Sequence, residues 1–241
     1  MSGQKIGHYD EYDKAALYYR VVDEVKNMTV SPEEDGYRYL AGTLPQDMSG
    51  LSVLDVGGGN GQWSELFCRR GARRVLLFDK SPAMVEFANR RKSVRQLERL
   101  EIRNISLEDY IQATDEKFDI VFSSYSLMYF QDISTVMMKL CGLLNANGQL
   151  LVMTNNFIPR HGTAPLEVPA GMVIPLAFGE NEKIHFETLY QPAALYLQGI
   201  EMSGMRAVNL RYFPDNPNSI EPFFDNRYGL KIRQLVISAQ K

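Results

Sequence analysis

A glycine-rich turn and an acidic residue are the parts of this sequence best suited to hold a ligand. The turn is Asp55-Val56-Gly57-Gly58-Gly59-Asn60-Gly61; it follows one apolar run, and Asp79 ends the next. Glycines let the backbone come close to a bound molecule, and a carboxylate at the end of a strand accepts hydrogen bonds from ribose hydroxyls. Together the two features predict a site for an adenosine-type cofactor at the carboxyl ends of two strands.

The spacing of the glycines indicates which cofactor this is. Gly57, Gly59 and Gly61 do not form the G-x-G-x-x-G pattern of dinucleotide binders, which favours S-adenosylmethionine and methyl transfer over a nicotinamide and hydride transfer. These glycines would admit the aminocarboxypropyl and ribose parts of the cofactor, and a tight strand-to-helix turn without a ligand is the alternative. Asp55 is expected to position the turn or to meet the cofactor's amino group through water, and Asp79 to bind the ribose.

Strand and helix patterns alternate through the middle of the chain, which predicts a parallel sheet. The expected strands are 51–56, 74–79, 100–104, 118–124 and 149–154. The expected helices between them are 62–70, 82–95, 106–113 and 133–144. A helix at about 191–198 and two strands, Arg206–Phe213 and Leu230–Ala239, follow. The last two strands have no helix between them, so they must pair antiparallel or lie apart.

Two helical patterns precede the first strand. One covers residues 9–27, and a capping box at Ser31-Pro32-Glu33-Glu34 predicts a second helix ending near Leu44. We therefore expect residues 1–48 to form an N-terminal helical lid and residues 49–241 to form the main domain. Residues 156–187 contain several prolines and glycines without a clear period, and this predicts a substrate-binding insertion.

Composition and charge narrow the class of protein. The net charge is -3 with 45% hydrophobic residues, so the core is large and no domain-wide basic face is expected. We predict no nucleic acid partner, and we expect Arg90-Arg91-Lys92 to be the solvated last turn of a helix. Cys68 and Cys141 stand in apolar helical patterns as buried thiols, and no metal-binding motif is present, so no metal is predicted. Without an apolar signal core or a membrane-length segment, the sequence predicts a cytoplasmic protein with no membrane partner. The sequence leaves a monomer and a homodimer open, because an acceptor lid and a dimer arm use the same aromatic surface.

Four segments in the expected order resemble class I S-adenosylmethionine-dependent methyltransferases of the small-molecule type. The segments are the first motif at 55–61, the ribose-binding strand end at 79–84, the fourth-strand motif at 118–130 and a turn at 144–150. In the turn, Ala146 and Asn147 replace the proline and glycine of the family's Leu-x-Pro-Gly-Gly. The resemblance implies an α/β fold: a Rossmann-like, doubly wound sheet of about seven strands, mostly parallel with an antiparallel C-terminal strand, and helices on both faces.

The resemblance also implies further cofactor-binding residues. Asn104 and Ile105 stand where the family binds adenine, although a plain strand-ending turn is equally compatible with these residues. The other positions are Lys80, whose stem would pack on adenine, Met84, Ser124, Tyr125, and the lid residues Tyr12, Tyr19 and Arg20. For the lid residues, packing in an amphipathic helix is the alternative.

The expected reaction is an in-line transfer of a methyl group to N or O of a small aromatic or heterocyclic metabolite of secondary metabolism. Positioning alone can suffice for this reaction. Tyr125 is placed to contact the sulfonium or the acceptor, and His161 and His185 are candidate catalytic residues in the insertion. Many relatives have a histidine where this chain has Met128. Trp63 is expected either to line the cofactor pocket or to pack between helix and sheet. A protein or RNA methyltransferase and a non-catalytic S-adenosylmethionine-binding module are the alternatives.

Overall fold

The computed structural model describes residues 35–159, 169–178, 184–213 and 230–241. The helices are α1 Asp35–Thr43, α2 Gln62–Arg69, α3 Pro82–Arg95, α4 Leu107–Ala113, α5 Ile133–Gly142 and α6 Ala193–Met202, with a 3-10 helix at Leu127–Tyr129. The strands are β1 Ser52–Val56, β2 Arg74–Asp79, β3 Leu100–Asn104, β4 Phe118–Ser124, β5 Leu144–Pro159, β6 Val173–Phe178, β7 Ile184–Leu189, β8 Arg206–Phe213 and β9 Leu230–Gln240. The helix predicted at 9–27 and the capping box at 31–34 lie outside the described residues.

Seven strands form one sheet in the order β3-β2-β1-β4-β5-β9-β8. The first five are parallel, and β9 pairs antiparallel with both β5 and β8. This confirms the predicted Rossmann-like sheet with its antiparallel C-terminal strand. The strand order reverses between β1 and β4, and ligands of open α/β sheets bind beside the carboxyl ends of the strands at such a reversal.

Alternating side chains of the strands form a core on each face of the sheet. Leu54 and Leu76 belong to one cluster with residues of α5 and α6, whereas Val53 and Leu77 belong to the other with residues of α1 and α2. Successive side chains of a strand point to opposite sides of the sheet. Because successive residues of these strands are apolar, both faces of the sheet are apolar. Helices therefore cover both faces, as the fold prediction requires.

Helix α1 is the described part of the predicted lid, and it is fixed against the sheet. The Arg70 guanidinium donates to the carbonyl oxygens of Ala41, Leu44 and Pro45, at 2.9, 3.3 and 3.3 Å. A cation at the carboxyl end of a helix satisfies orphan carbonyls and suits the helix dipole. The remainder of the predicted lid stays a prediction.

Strand β5 is longer than predicted at both ends. Its pairing with β4 shifts from Phe118 opposite Leu144 to Ile120 opposite Gln149, so the predicted turn at 145–148 is an irregularity inside β5. Asn147 takes a left-handed conformation there, with φ 64°. The residues predicted to form a turn therefore belong to β5.

The predicted insertion contains a two-stranded antiparallel sheet of β6 and β7. It also takes in the end of β5, which reaches Pro159. Among the described helices, none is both long and apolar enough to cross a bilayer.

Candidate functional site

Two glycines of the turn after β1 have a left-handed backbone conformation. Gly57 and Gly61 have φ values of 61° and 79°, which other residues adopt only with strain. A Cβ at Gly57 would lie 2.5 Å from the Cβ of Ser126, and one at Gly61 would lie 3.5 Å from the Cβ of Ala88. Gly57 therefore allows close packing of the turn against the segment after β4. At Gly61 the distance to α3 is an ordinary van der Waals contact, and the backbone conformation alone favours glycine.

Gly59 differs from these two because the space beside it is open. Its φ is 55°, and the nearest atom to an added Cβ, outside its chain neighbours, would be the Sδ of Met84 at 4.0 Å. Its N–H donates to Asp79 Oδ2 at 3.0 Å. At this position the backbone is accessible to a ligand that also reaches Asp79.

Asp79 lies at the carboxyl end of β2 and is half-buried. Its Oδ1 accepts a hydrogen bond from the N–H of Ser81 at 2.9 Å, so the carboxylate connects the glycine turn to the start of α3. Each carboxylate oxygen can accept more than one hydrogen bond, so ribose hydroxyls can be bound in addition to these N–H groups. The geometry suits the predicted ribose contact.

The predicted adenine residues stand next to Asp79. The amide nitrogen of Asn104 donates to the carbonyl oxygens of Asp79 and Lys80, at 2.9 and 3.0 Å, and so holds the chain between β2 and α3. Ile105 donates its N–H to the Asp79 carbonyl at 3.1 Å. Asn104 thus has a structural role in this loop, while the contacts of Asn104, Ile105 and Lys80 with adenine stay predictions.

Asp55 lies beneath the turn and is almost fully buried. Its Oδ2 accepts a hydrogen bond from Ser64 Oγ at 2.6 Å, and a Cβ at Gly58 would lie 2.8 Å from the carboxylate. Burial raises the pKa of Asp55 to about 7; the negative charge of Asp79 adds to this effect and the Ser64 hydroxyl opposes it. Asp55 thus lies against the backbone of the turn, and its role in positioning the turn stays a prediction.

Arg91 corrects a prediction, because it is not solvated with its neighbours. Only 7% of it is exposed, and it pairs with buried Glu65, with 2.9 Å between Nη1 and Oε2. Its Nε also donates to the carbonyl oxygen of Asn60, in the glycine turn, at 2.9 Å. The last two turns of α3 cross α2 at this point, so one arginine of the basic run faces inward while Arg90 remains exposed.

The segment after β4 contacts the same turn. Ser126 Oγ donates to the Val56 carbonyl at 2.9 Å and lies 2.7 Å from Ser123 Oγ. Tyr125 has a φ of 55°, and its N–H donates to the Met153 carbonyl at 2.8 Å. A left-handed conformation in a bulky residue is uncommon and is concentrated at functional sites.

An aromatic cluster covers this region, and it includes a residue that the sequence analysis did not identify. Tyr37 of α1 stacks on Trp63, with ring centroids 5.7 Å apart and planes 7° apart, and its ring is 6.0 Å from that of Tyr125. Trp63 packs on Phe67 and Phe122 and so lies between helix and sheet, which was one of the two positions expected for it. Only the fold brings Tyr37 to Tyr125, so no local pattern marks it.

Four predicted site residues, Tyr12, Tyr19, Arg20 and His161, lie outside the described residues. His185 stands in β7 opposite Ala177, and its side chain is not described. Their proposed roles, like those of Met84, which is buried, and Ser124, which is half-buried, stay predictions. Among the described side chains, no three of the His, Cys, Asp and Glu type lie together as a metal site requires. The absence of a metal likewise stays a prediction.

The comparisons with known proteins agree with this geometry. A family model described as a methyltransferase domain matches residues 47–172, which is more than half of the chain and includes both the glycine turn and Asp79. The chain belongs to the methyltransferase domain family. Its sheet has the fold of the class I S-adenosylmethionine-dependent methyltransferases, as the sequence resemblance implied.

Relatives of this methyltransferase include two ubiquinone biosynthesis O-methyltransferases. The human mitochondrial protein is 33% identical over 109 residues, which are 44% of this chain and 29% of that protein. The protein from Actinobacillus pleuropneumoniae is 28% identical over 172 residues, which are 70% of this chain and 71% of that protein. The matches to the first three curated relatives span between 29% and 48% of the relatives' own lengths.

A solved structure extends the similarity to the whole fold. Geranyl diphosphate C-methyltransferase from Streptomyces coelicolor A3(2), in complex with Mg2+, geranyl-S-thiolodiphosphate and S-adenosyl-L-homocysteine, matches 99% of this chain and 99% of its own, with a TM-score of 0.64 and 15% identity. Because the identity is low, this likeness supports the fold alone.

Proposed function

We propose that this methyltransferase transfers a methyl group from S-adenosylmethionine to an oxygen of a small, apolar and partly aromatic molecule. The names of the two relatives favour oxygen over nitrogen as the receiving atom. The same names favour a small molecule over a protein or RNA.

The observation that carries the proposal is the composition of the region that follows the carboxyl end of β4 and lies along the last residues of β5. Met128 and Phe157 are buried there, and the rings of Phe157 and Tyr190 are 6.3 Å apart. Apolar and aromatic side chains with a few fixed polar groups are typical of sites for small molecules. Tyr125, next to the glycine turn, would separate this region from the cofactor.

S-adenosylmethionine supplies a methyl group on a positively charged sulfur. The residues of the turn fit it: Asp79 would hold the ribose, and the open backbone at Gly59 would accommodate the part of the cofactor next to it. Tyr125 would position the acceptor, and the stacked Tyr37 and Trp63 would exclude water from that side. Correct positioning of the two reactants accounts for much of the rate of such a displacement.

A hydroxyl acceptor must lose its proton during the reaction. Met128 cannot take it, and its carbonyl is hydrogen-bonded to Thr188 Oγ1 at 3.4 Å. His161 and His185 therefore remain the candidate bases. A phenol would demand least of such a base, because its pKa of about 10 is far below that of an aliphatic alcohol.

The proposal is tested by incubating the purified protein with S-adenosylmethionine that carries a labelled methyl group. Phenols, aliphatic alcohols, heterocyclic amines, bulk protein and RNA serve as separate acceptors. We expect label in methyl ethers of apolar phenols and none in the macromolecular fractions. Label confined to protein or RNA would contradict the proposal, and so would tight cofactor binding without turnover on any acceptor. Location in the cytoplasm and assembly as a monomer or homodimer remain predictions beside it.

A further inference from the structure

Three separate segments meet at a cluster of buried polar groups near the carboxyl ends of β4 and β5. We call this cluster the Gln191 junction; it consists of the side chains of Asn156, Thr188 and Gln191 and the carbonyls of residues 128, 130 and 131. The three side chains are 3%, 1% and 2% exposed. Buried polar groups in folded proteins nearly always have a hydrogen-bond partner, so we expect one for each of these groups.

The amide of Gln191 is held in one orientation. Its Nε2 donates to the carbonyl oxygens of Phe130 and Gln131, at 2.7 and 3.2 Å. Both partners can only accept, so the nitrogen must face them and Oε1 must point elsewhere. The main-chain oxygen of Gln191 in turn accepts from Asn156 Nδ2 at 2.8 Å.

The oxygen of the Gln191 amide has no hydrogen-bond partner among the described residues. Among the buried side-chain atoms that the structure describes, Gln191 Oε1 and the hydroxyls of Tyr110 and Tyr196 have no hydrogen-bond partner. Burial raises the pKa of both tyrosines, and a nearby threonine hydroxyl, that of Thr114 and Thr154 respectively, opposes this effect. The amide oxygen can only accept, so it requires a donor from outside these residues.

The junction lies close to the predicted methyl donor site. Ser126 is bonded to the Val56 carbonyl at the start of the glycine turn, and a 3-10 helix leads from there to Phe130, which contacts Gln191. Four residues at the 3-10 rise of about 2 Å separate Ser126 from Phe130 by about 8 Å. Half-buried Phe130 and Tyr190 and exposed Gln131 surround the amide, so it lies just beneath the surface.

We infer that Gln191 Oε1 accepts a hydrogen bond from the methyl acceptor, an inference that rests on the proposed function. An amide oxygen is not a base, so it orients its partner without removing the proton of the reacting hydroxyl. The acceptor therefore carries a second donor group, a hydroxyl or an amine, besides the oxygen that receives the methyl group. The two hydrogen bonds made by Nε2 fix the amide beforehand, which favours binding of that donor.

The experiment compares two acceptors that differ in the second donor alone. One is an alkylphenol with a neighbouring amino or hydroxyl group, and the other has a methyl group in that place. For the unaltered protein we expect kcat/KM to be about 5- to 150-fold higher for the first, as the loss of a hydrogen bond to a buried polar group predicts. In Gln191→Met this preference should fall to within about twofold, while binding of S-adenosylhomocysteine stays unchanged.

Thr188→Val is the matched control, because it removes a hydroxyl of the same junction and leaves Oε1 in place. It should keep the preference of the unaltered protein for the donor-bearing acceptor. Equal loss of activity on both acceptors in Gln191→Met would overturn the inference, since that result indicates a structural role or a bound water only. Absence of any preference in the unaltered protein would overturn it too. Absence of methyl transfer to any small molecule would instead refute the proposed function.

Discussion

At the scale of single residues, two aspartates of this methyltransferase share one turn but have different environments. Asp79 is half-buried, and its carboxylate accepts hydrogen bonds from the N–H groups of Gly59 and Ser81. Asp55 is almost fully buried, and its pKa is raised to about 7. Asp79 thus lies partly exposed beside the glycine turn, whereas Asp55 is buried against its backbone.

Replacing Asp79 by alanine should weaken cofactor binding, whereas replacing a carboxylate distant from the glycine turn should not. Hydrogen bonds to a charged group contribute about 1.5 to 3 kcal/mol, so the Kd for S-adenosylhomocysteine should rise by about 10- to 150-fold in calorimetry. Asp119→Asn is the control: that carboxylate also accepts a backbone N–H, from Ser52 at 2.8 Å, but at the opposite edge of the sheet. Equal affinity in Asp79→Ala and the unaltered protein would remove the basis of the predicted ribose contact.

Asp55 should make the stability of the protein depend on pH. The folded protein keeps the Asp55 proton up to a pKa of about 7, whereas the unfolded chain loses it near the ordinary value of 3.8. The folded state therefore binds more protons between these values, and the free energy of unfolding should fall as pH rises from about 4 to 7, by about 4 kcal/mol at most.

Asp55→Asn removes this titration and keeps an oxygen that can accept from Ser64. Urea denaturation of both proteins at several pH values isolates the contribution of Asp55, because the other groups are common to both. The variant should gain stability relative to the unaltered protein as pH rises towards 8. Parallel curves for the two proteins would show that Asp55 is ionised throughout.

At the scale of elements, α2 and α3 are joined by a buried ion pair that also reaches the glycine turn. Glu65 of α2 is bonded to Arg91 of α3 and to Arg69 of its own helix, which hold its pKa below the ordinary value in spite of burial. Breaking such a pair leaves a buried charge without compensation. Arg91 differs from Arg69 in being buried and in donating to the Asn60 carbonyl of the glycine turn.

Arg91→Lys should therefore weaken cofactor binding more than Arg69→Lys does. Lysine can still pair with Glu65, but it lacks the Nε–H that holds Asn60. One hydrogen bond contributes about 0.5 to 1.5 kcal/mol, so the KM for S-adenosylmethionine should rise by about 2- to 12-fold with kcat nearly unchanged. If both variants raise KM equally, the effect comes from the charge of Glu65 and the bond to the turn is irrelevant.

At the scale of the whole molecule, one sheet edge connects every part of the candidate site. The carboxyl ends of β1, β2, β4 and β5 bring together the glycine turn, Asp79, Tyr125 and the Gln191 junction. Helix α1 adds Tyr37 from the N-terminal side. A ligand bound at these strand ends would contact several elements at once. We therefore expect such a ligand to raise the free energy of unfolding of the whole domain.

S-adenosylhomocysteine should raise the melting temperature accordingly. A ligand that binds only the folded state at 100 times its Kd adds about 2.7 kcal/mol to the free energy of unfolding. For a chain of this size that corresponds to about 5 to 10 °C in a thermal shift measurement. NAD at the same concentration should have no effect, and a comparable rise with NAD would contradict the assignment of the glycine turn.

The sequence alone was sufficient to predict the sheet, and it also pointed to the glycine turn and Asp79 as candidate ligand-binding residues. The bounds of β2, β3 and β4 agree with those predicted, because strands buried on both faces are local apolar runs between turn residues. The glycine turn and Asp79 are also local signals. A few consecutive residues determine whether a ligand can come close to the backbone and whether an acidic residue ends a strand. The departures are local as well: β5 absorbs the predicted turn, and α6 starts two residues late.

Only the tertiary structure revealed the residues whose roles depend on distant partners. Arg91 belongs to an exposed basic run in the sequence, yet it is buried against Glu65, which lies 26 residues away. The partners of Gln191 are 60 and 61 residues away, and Tyr37 meets Tyr125 only because α1 packs on the sheet. Periodicity and motifs report the immediate chain neighbourhood, whereas burial and pairing of a polar side chain are decided by segments that come together on folding.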